Sequence, residues 1–206
     1  MRTRVKICGI TRVEDALVAA AAGADAIGLV FDERSPRCVS LAQAEAVVRA
    51  LPPFVTVVGL FVDAARGRVD EVLSRVPLDL LQFHGTETPE QCRLHRRAYI
   101  KAIAMKPDVD LIAMQARYAD AAGLVLDSYS PAAAGGTGQA FDWARVPRDL
   151  KTPVILAGGL TPANVAAAIS AVHPYAVDVS SGVEVSKGIK DAGKISAFIE
   201  AVRSAA

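Results

Sequence analysis

The residues able to do chemistry in this chain stand at the ends of apolar runs. Val5-Lys6-Ile7-Cys8-Gly9-Ile10-Thr11 delivers a thiol and then a glycine, and Leu124-Val125-Leu126-Asp127 delivers a single carboxyl. An unperturbed thiol ionises near pH ~8.5, so a modest electropositive influence gives some thiolate, which can act as a general base. The bland alternative is that Cys8 is a small buried hydrophobe. Lys6 supplies the positive influence only if a regular pleat turns it the same way as Cys8. Asp127 is either a loop-anchoring carboxylate or, in a partly dry site, an acid whose pKa rises enough to donate a proton. A base and an acid approaching from opposite sides suit proton abstraction at one carbon and protonation of a nearby oxygen.

Other residues extend this list. Gly158-Gly159 and Ser180-Ser181-Gly182 are small polar loops of the kind that hold a phosphate against backbone N–H groups, although glycines there can also serve tight turns. Arg37 offers a fork for a carboxylate or is a solvated loop arginine. His84 can hydrogen-bond a substrate or stabilise its own loop, and the sequence leaves both open. Asp178 is read as an interior carboxylate that orients neighbouring backbone or substrate hydroxyls. His95 and His173 are read as exposed structural histidines on helices or helix ends.

Composition narrows the partner. The net charge of +1 has no basic stripe or acidic block behind it, so nucleic acid and membrane surfaces are not expected and a small molecule is. Cys8, Cys38 and Cys92 lie far apart without metal-ligand spacing, so no metal is expected and a reducing, cytoplasmic setting is. No export segment is read at the N-terminus. The apolar regions 16–31 and 50–62 are interrupted by Asp25 and by Pro52-Pro53, so neither is expected to span a bilayer.

The positioning elements follow from the periodicity. Short runs rich in Val, Ile, Leu and Phe predict strands near 4–8, 26–31, 55–61, 78–83, 99–103, 123–127, 153–157 and 176–179. Amphipathic segments predict helices at about 13–22, 41–51, 65–75, 88–97, 108–121, 142–146, 162–171 and 191–203, with start signals at Thr11 or Arg12, Ser40, Thr88-Pro89 and Thr161-Pro162. Eight strand-helix units over residues 1–206 predict a single-domain α/β protein, a (β/α)8 TIM barrel, with phosphate-binding loops after strands 7 and 8. A doubly wound sheet is the competitor, but no G-x-G-x-x-G follows the first strand. The glycine-rich Gly135-Gly136-Thr137-Gly138 comes after strand 6, the wrong place for a dinucleotide fingerprint.

Seven motifs in order then carry a resemblance: Lys6 to Thr11, Ser35-Pro36-Arg37-x-Val39-Ser40, Leu81-Gln82-Phe83-His84-Gly85, Leu126-Asp127, Gly135 to Trp143, Ala157-Gly158-Gly159-Leu160 and Asp178 to Glu184. Together they resemble the phosphoribosylanthranilate isomerase family of tryptophan biosynthesis. The resemblance implies an Amadori rearrangement of N-(5-phosphoribosyl)anthranilate, with Asp127 as general acid at the ring oxygen and Cys8 as general base at ribose C2. It implies that Arg37 pairs with the anthranilate carboxylate, and that Gly159, Ser180, Ser181, Gly182 and Gly138 hold the phosphate. No cofactor is implied, since the substrate's own iminium is the electron sink. A monomer or homodimer is expected. The sister aminoaldose isomerase of histidine biosynthesis is the alternative enzyme, disfavoured because an Asp is expected where Cys8 stands. A non-catalytic phosphate-binding barrel is the alternative outside enzymes. Two departures from the family pattern are Cys38, where a Tyr is usual, and Lys187, where Pro is frequent.

Overall fold

The computed structural model describes residues 2–128 and 141–205. Eight strands, β1 Arg4–Cys8, β2 Ala26–Val30, β3 Thr56–Phe61, β4 Leu80–Phe83, β5 Tyr99–Ala104, β6 Gly123–Asp127, β7 Val154–Leu156 and β8 Ala176–Val179, form a closed parallel barrel in chain order. Closure is made by β1, which pairs with β2 on one side and β8 on the other, and this rules out the doubly wound sheet. The helices on its outside are α1 Val13–Ala22, α2 Leu41–Ala50, α3 Arg66–Arg75, α4 Pro89–Arg93, α5 Leu111–Arg117, α6 Val165–Val172 and α7 Ala192–Ser204.

Strand alternation sorts the chain into two apolar shells. Val5 and Ile7 of β1, with Ile27, Leu29, Leu81, Leu124, Leu126 and Leu156, face outward under the helices. Each such fully buried aliphatic stabilises the fold by about 1.5–3 kcal/mol. Val58, Ile100, Ala102, Val125, Ile155 and Ala176 fill the barrel interior. Above that plug, Cys8 meets Val30 and Leu60, so the thiol lies at the wide end where the strand C-termini open.

The start signals act as read at α2 and α4, where Ser40 with Gln43 and Thr88 with Gln91 form reciprocal capping boxes. Arg12 starts α1 without a side-chain cap, and Thr161-Pro162 opens a turn, so that α6 begins only at Val165. Among the described residues of the sixth unit, the helix expected at 142–146 is a single 3-10 turn, Trp143–Arg145. A hairpin that the periodicity does not predict, β9 Glu184–Ser186 and β10 Ile189–Lys190, follows β8 and folds back over the mouth.

Candidate active site

Cys8 ends β1 with its side chain turned into the barrel. Lys6, two residues earlier, turns the same way: a Cβ built on Gly28 of β2 would lie 2.7 Å from the Cys8 sulfur and 3.2 Å from Lys6 Cε. Glycine at 28 therefore leaves room for both. Lys6 Nζ is 2.6 Å from Asp178 Oδ2 of β8, a fully buried ion pair beside the thiol. Burial pushes the Cys8 thiol above its ordinary value; Lys6, and more distantly Lys190, pull it down, while Asp178 adds to the rise. Burial works against the Lys6 charge, but Asp178 and Cys8 outweigh it and hold the ammonium above the usual lysine value.

Asp127 ends β6, three places round the ring from β1 through β7 and β8. Its Oδ1 accepts from the Ser128 N–H at 2.8 Å, and its Oδ2 lies 3.1 Å from His84 Nε2. The other ring nitrogen of His84 is 2.9 Å from the Gln82 amide nitrogen, so both ring nitrogens have protein partners. A Cβ at Gly158, whose φ is +79°, would lie 2.8 Å from Asp127 Oδ1 and 2.3 Å from the Ser128 nitrogen, a close approach that requires glycine.

Loops 7 and 8 press together beside this pair. Gly182, in the 3-10 turn Ser181–Val183, packs so tightly that a Cβ there would lie 1.9 Å from the Leu160 carbonyl oxygen. Asn164 braces the Gly159 turn by donating to its carbonyl at 2.9 Å and accepting from the Thr161 N–H at 2.8 Å. Ser180 lies above Gly9, with its Oγ 3.0 Å from where a Cβ of Gly9 would sit. The sequence-read residues Cys8, Asp127, His84, Asp178, Gly158, Gly159, Ser180, Ser181 and Gly182 therefore line one mouth. Gly138 lies outside the described residues.

Arg37 reaches this mouth from loop 2 with its stem across Gly9, and it is not a solvated loop arginine. Its Nε and Nη2 form a fork with both oxygens of Glu184 at 2.7 and 2.8 Å. Lys190 Nζ joins the same carboxylate at 2.9 Å and the Ser180 carbonyl at 3.1 Å. Burial opposes the Glu184 charge, yet Arg37 and Lys190 together keep its carboxyl below the usual range; burial pulls Lys190 down. The hairpin turn carries Lys187 outward, so that departure does not touch the site. Cys38 is half-buried, 3.9 Å from the Val39 carbonyl.

The expectation of two exposed histidines is corrected at one of them. The His95 side chain is 3% exposed, bonded to Asp70 at 2.8 Å and stacked on Phe83 at 6.1 Å, because the chain leaves α4 at Arg93 and tucks the ring under the barrel wall. His173 is exposed and ends α6, as read. Lys6, read from the sequence as an influence on Cys8 only on condition of a regular pleat, joins the site, as do Gln82, Glu184 and Lys190, which sequence reasoning did not single out. For the first two, the signal was a polar residue at an inward position of an apolar strand. Among the described residues, no cluster of three or more His, Cys, Asp or Glu could hold a metal ion.

Comparison with known proteins bears on this arrangement. The family model described as N-(5'phosphoribosyl)anthranilate (PRA) isomerase matches residues 5–201. An N-(5'-phosphoribosyl)anthranilate isomerase of Pseudomonas aeruginosa (strain UCBPP-PA14) is 63% identical over 201 residues, 98% of this chain and 95% of that relative. Among solved structures, a phosphoribosyl anthranilate isomerase in complex with reduced 1-(o-carboxyphenylamino)-1-deoxyribulose 5-phosphate superposes with a TM-score of 0.87 at 40% identity, covering 98% of this chain and 99% of that one. A structure of monomers generated from the dimeric enzyme of Thermotoga maritima gives a TM-score of 0.87 at 38% identity, with the same coverage.

Proposed function

The chain belongs to the N-(5'-phosphoribosyl)anthranilate isomerase family, and from that premise we propose that Cys8 and Asp127 are the base and acid of its reaction. The reaction is the aldose-ketose isomerisation of N-(5-phosphoribosyl)anthranilate to 1-(2-carboxyphenylamino)-1-deoxyribulose 5-phosphate in tryptophan biosynthesis. Asp127 gives a proton to the furanose ring oxygen as its bond to C1 breaks, leaving an iminium at C1. Cys8 removes the proton from C2, the electron pair neutralises the iminium, and the enolamine becomes the ketone by taking a proton at C1. The observation that carries this reading is a thiol and a carboxyl on separate strands of one barrel mouth, the thiol beside a buried lysine. The test follows the loss of substrate fluorescence, with phosphoribosylanthranilate made in situ, for wild type beside Cys8→Ala. Well-folded wild type with no turnover would overturn it. That outcome would return attention to the histidine-pathway substrate or to a barrel that only binds phosphate.

Gly158, Gly159, Ser180, Ser181 and Gly182 are the proposed phosphate seat, supported by the tight meeting of loops 7 and 8. Asp178 is the proposed contact for a substrate hydroxyl, through its buried Oδ1, which has no hydrogen-bond partner among the described residues. Arg37 is proposed to take the anthranilate carboxylate on its Nη1–Nη2 edge, since Glu184 already occupies Nε and one Nη2 hydrogen. A hydrogen bond to a charged group is worth about 1.5–3 kcal/mol, so Arg37→Ala is expected to raise KM about 10- to 100-fold with a smaller change in kcat. Unchanged steady-state constants would remove Arg37 from the site.

Among the described residues, no helix is long and apolar enough to cross a membrane. The free cysteines support a reducing, cytoplasmic setting. A homodimer is the proposed assembly, because one structural relative is described as dimeric and the end of this barrel away from the mouth carries an exposed aromatic side chain and a cleft. There Phe54, before β3, is fully exposed at a φ of +71°, an unfavourable backbone for a bulky side chain. The same end carries a cleft of about 440 Å³ lined in part by Thr3, Val5, Ile199 and Val202. Phe54→Asp is expected to halve the mass measured by light scattering while leaving the barrel folded. A monomeric wild type would overturn the assembly.

A further inference from the structure

We propose that Gln82 is a positioning residue for the general acid, acting through His84 by fixing which ring nitrogen presents its proton to Asp127. The inference rests on the reading of Asp127 as that acid. The Gln82 Nε2 group, 2.9 Å from His84 Nδ1, can only donate. Nδ1 must then accept, and a neutral imidazole in that state carries its hydrogen on Nε2, facing Asp127 Oδ2 at 3.1 Å. With Oδ1 held by the Ser128 N–H at 2.8 Å, the carboxyl is pinned at both oxygens and its plane is set. The carboxyl position left for the acid's own proton is thereby held in one orientation, which is what a proton donor to a fixed ring oxygen needs.

A second observation separates this role from ordinary core packing. Gln82 is 0% exposed, paired in register with Leu60 and Ile100, and its Oε1 has no hydrogen-bond partner among the described residues. An unpaired buried carbonyl is a net cost to the folded state, and a leucine of similar volume would remove that cost. The amide is thus a poor choice for stability and a good one for holding the His84 tautomer. Groups that orient a catalytic residue from behind behave in this way, and their loss commonly lowers activity about 10- to 100-fold.

The test uses the intact enzyme with three substitutions, Gln82→Leu, Gln82→Glu and His84→Gln. The chain has only three histidines, so ¹⁵N spectra of the imidazoles, assigned by the signals missing in His84→Gln, read the tautomer directly. Wild type is expected to show the proton on Nε2. Gln82→Leu is expected to lower kcat about 10- to 100-fold with KM within about 3-fold and Tm unchanged or higher. Gln82→Glu, whose ionised carboxylate accepts and does not donate, is expected to place a proton on Nδ1 and to lower kcat at least as far. Full kcat in Gln82→Leu, a kcat loss with the His84 signals unmoved, or a wild-type proton on Nδ1 would each overturn the proposal. Failure of the underlying reading looks different: Asp127→Ala would keep full turnover while the spectra still reported the His84 tautomer.

Discussion

Cys8→Ala is expected to lower kcat about 10²–10⁴-fold, the usual contribution of a positioned base, with the barrel still folded. The sulfur touches Val30 and Leu60 at the top of the interior, so trimming it to a methyl group leaves only a small void. The proposed base is the thiolate, and burial holds the folded thiol above its ordinary value. At neutral pH most of the enzyme carries the inactive thiol, and each rise in pH recruits more thiolate, so the thiolate-dependent limb of the C2 proton-abstraction step is expected to rise with pH. Lys6→Met removes the largest influence opposing burial, so it is expected to move that limb to still higher pH and to lower the neutral rate. Steady-state fluorescence assays across pH, with a thermal melt on each variant, check both results. A Cys8→Ala enzyme that turns over normally would end the role of the thiol.

The features that build this site were unequally visible in the sequence. The strands and their polarity were legible because near-continuous apolar runs alternating with amphipathic segments are what parallel strands covered by helices on both faces look like. Cys8, Asp127 and Asp178 were legible because each closes or nearly closes such a run. Tertiary burial overrode local pattern where the helices came out shorter. The helix expected at 88–97 is Pro89–Arg93, since His95 leaves the helical path to stack on Phe83. The one expected at 108–121 is Leu111–Arg117; it starts where Asp110 accepts from the N–H groups of Ile112 and Ala113, and Tyr118 just beyond it reaches the Glu87 carbonyl. The partnership of Arg37 with Glu184 spans 147 residues and depends on the hairpin that folds loop 8 over loop 2. No spacing rule reports a contact of that range. The Lys6 orientation was conditional on a regular pleat, and the register of β1 with β8, which sets Lys6 beside Asp178, supplies it.

Asp127→Ala is expected to lower kcat by a similar factor, about 10²–10⁴-fold, through a different step. The ring oxygen leaves C1 with its electron pair, and without a proton donor that bond breaks to an alkoxide in a site where the nearest titratable partner of Asp127, His84, stands behind it. Cys8 remains intact in this variant, but it has no iminium to work against until the ring opens. Analogue binding distinguishes loss of chemistry from loss of the site. A ligand whose sugar is already an open chain, such as the reduced carboxyphenylamino-deoxyribulose phosphate seen in a relative, needs no proton from Asp127. Its affinity for Asp127→Ala is therefore expected to stay within about tenfold of wild type by titration, because the proposed phosphate and carboxylate contacts lie in loops 7, 8 and 2. Asp127→Asn sharpens the result. The amide keeps the volume and an acceptor for His84 but has no proton to give the ring oxygen, so its turnover is expected to match that of alanine rather than wild type. Turnover near wild type in either variant would remove the acid role. Parallel loss of turnover and analogue affinity would recast Asp127 as a binding group, and the proton for ring opening would then have to come from another side chain at the mouth.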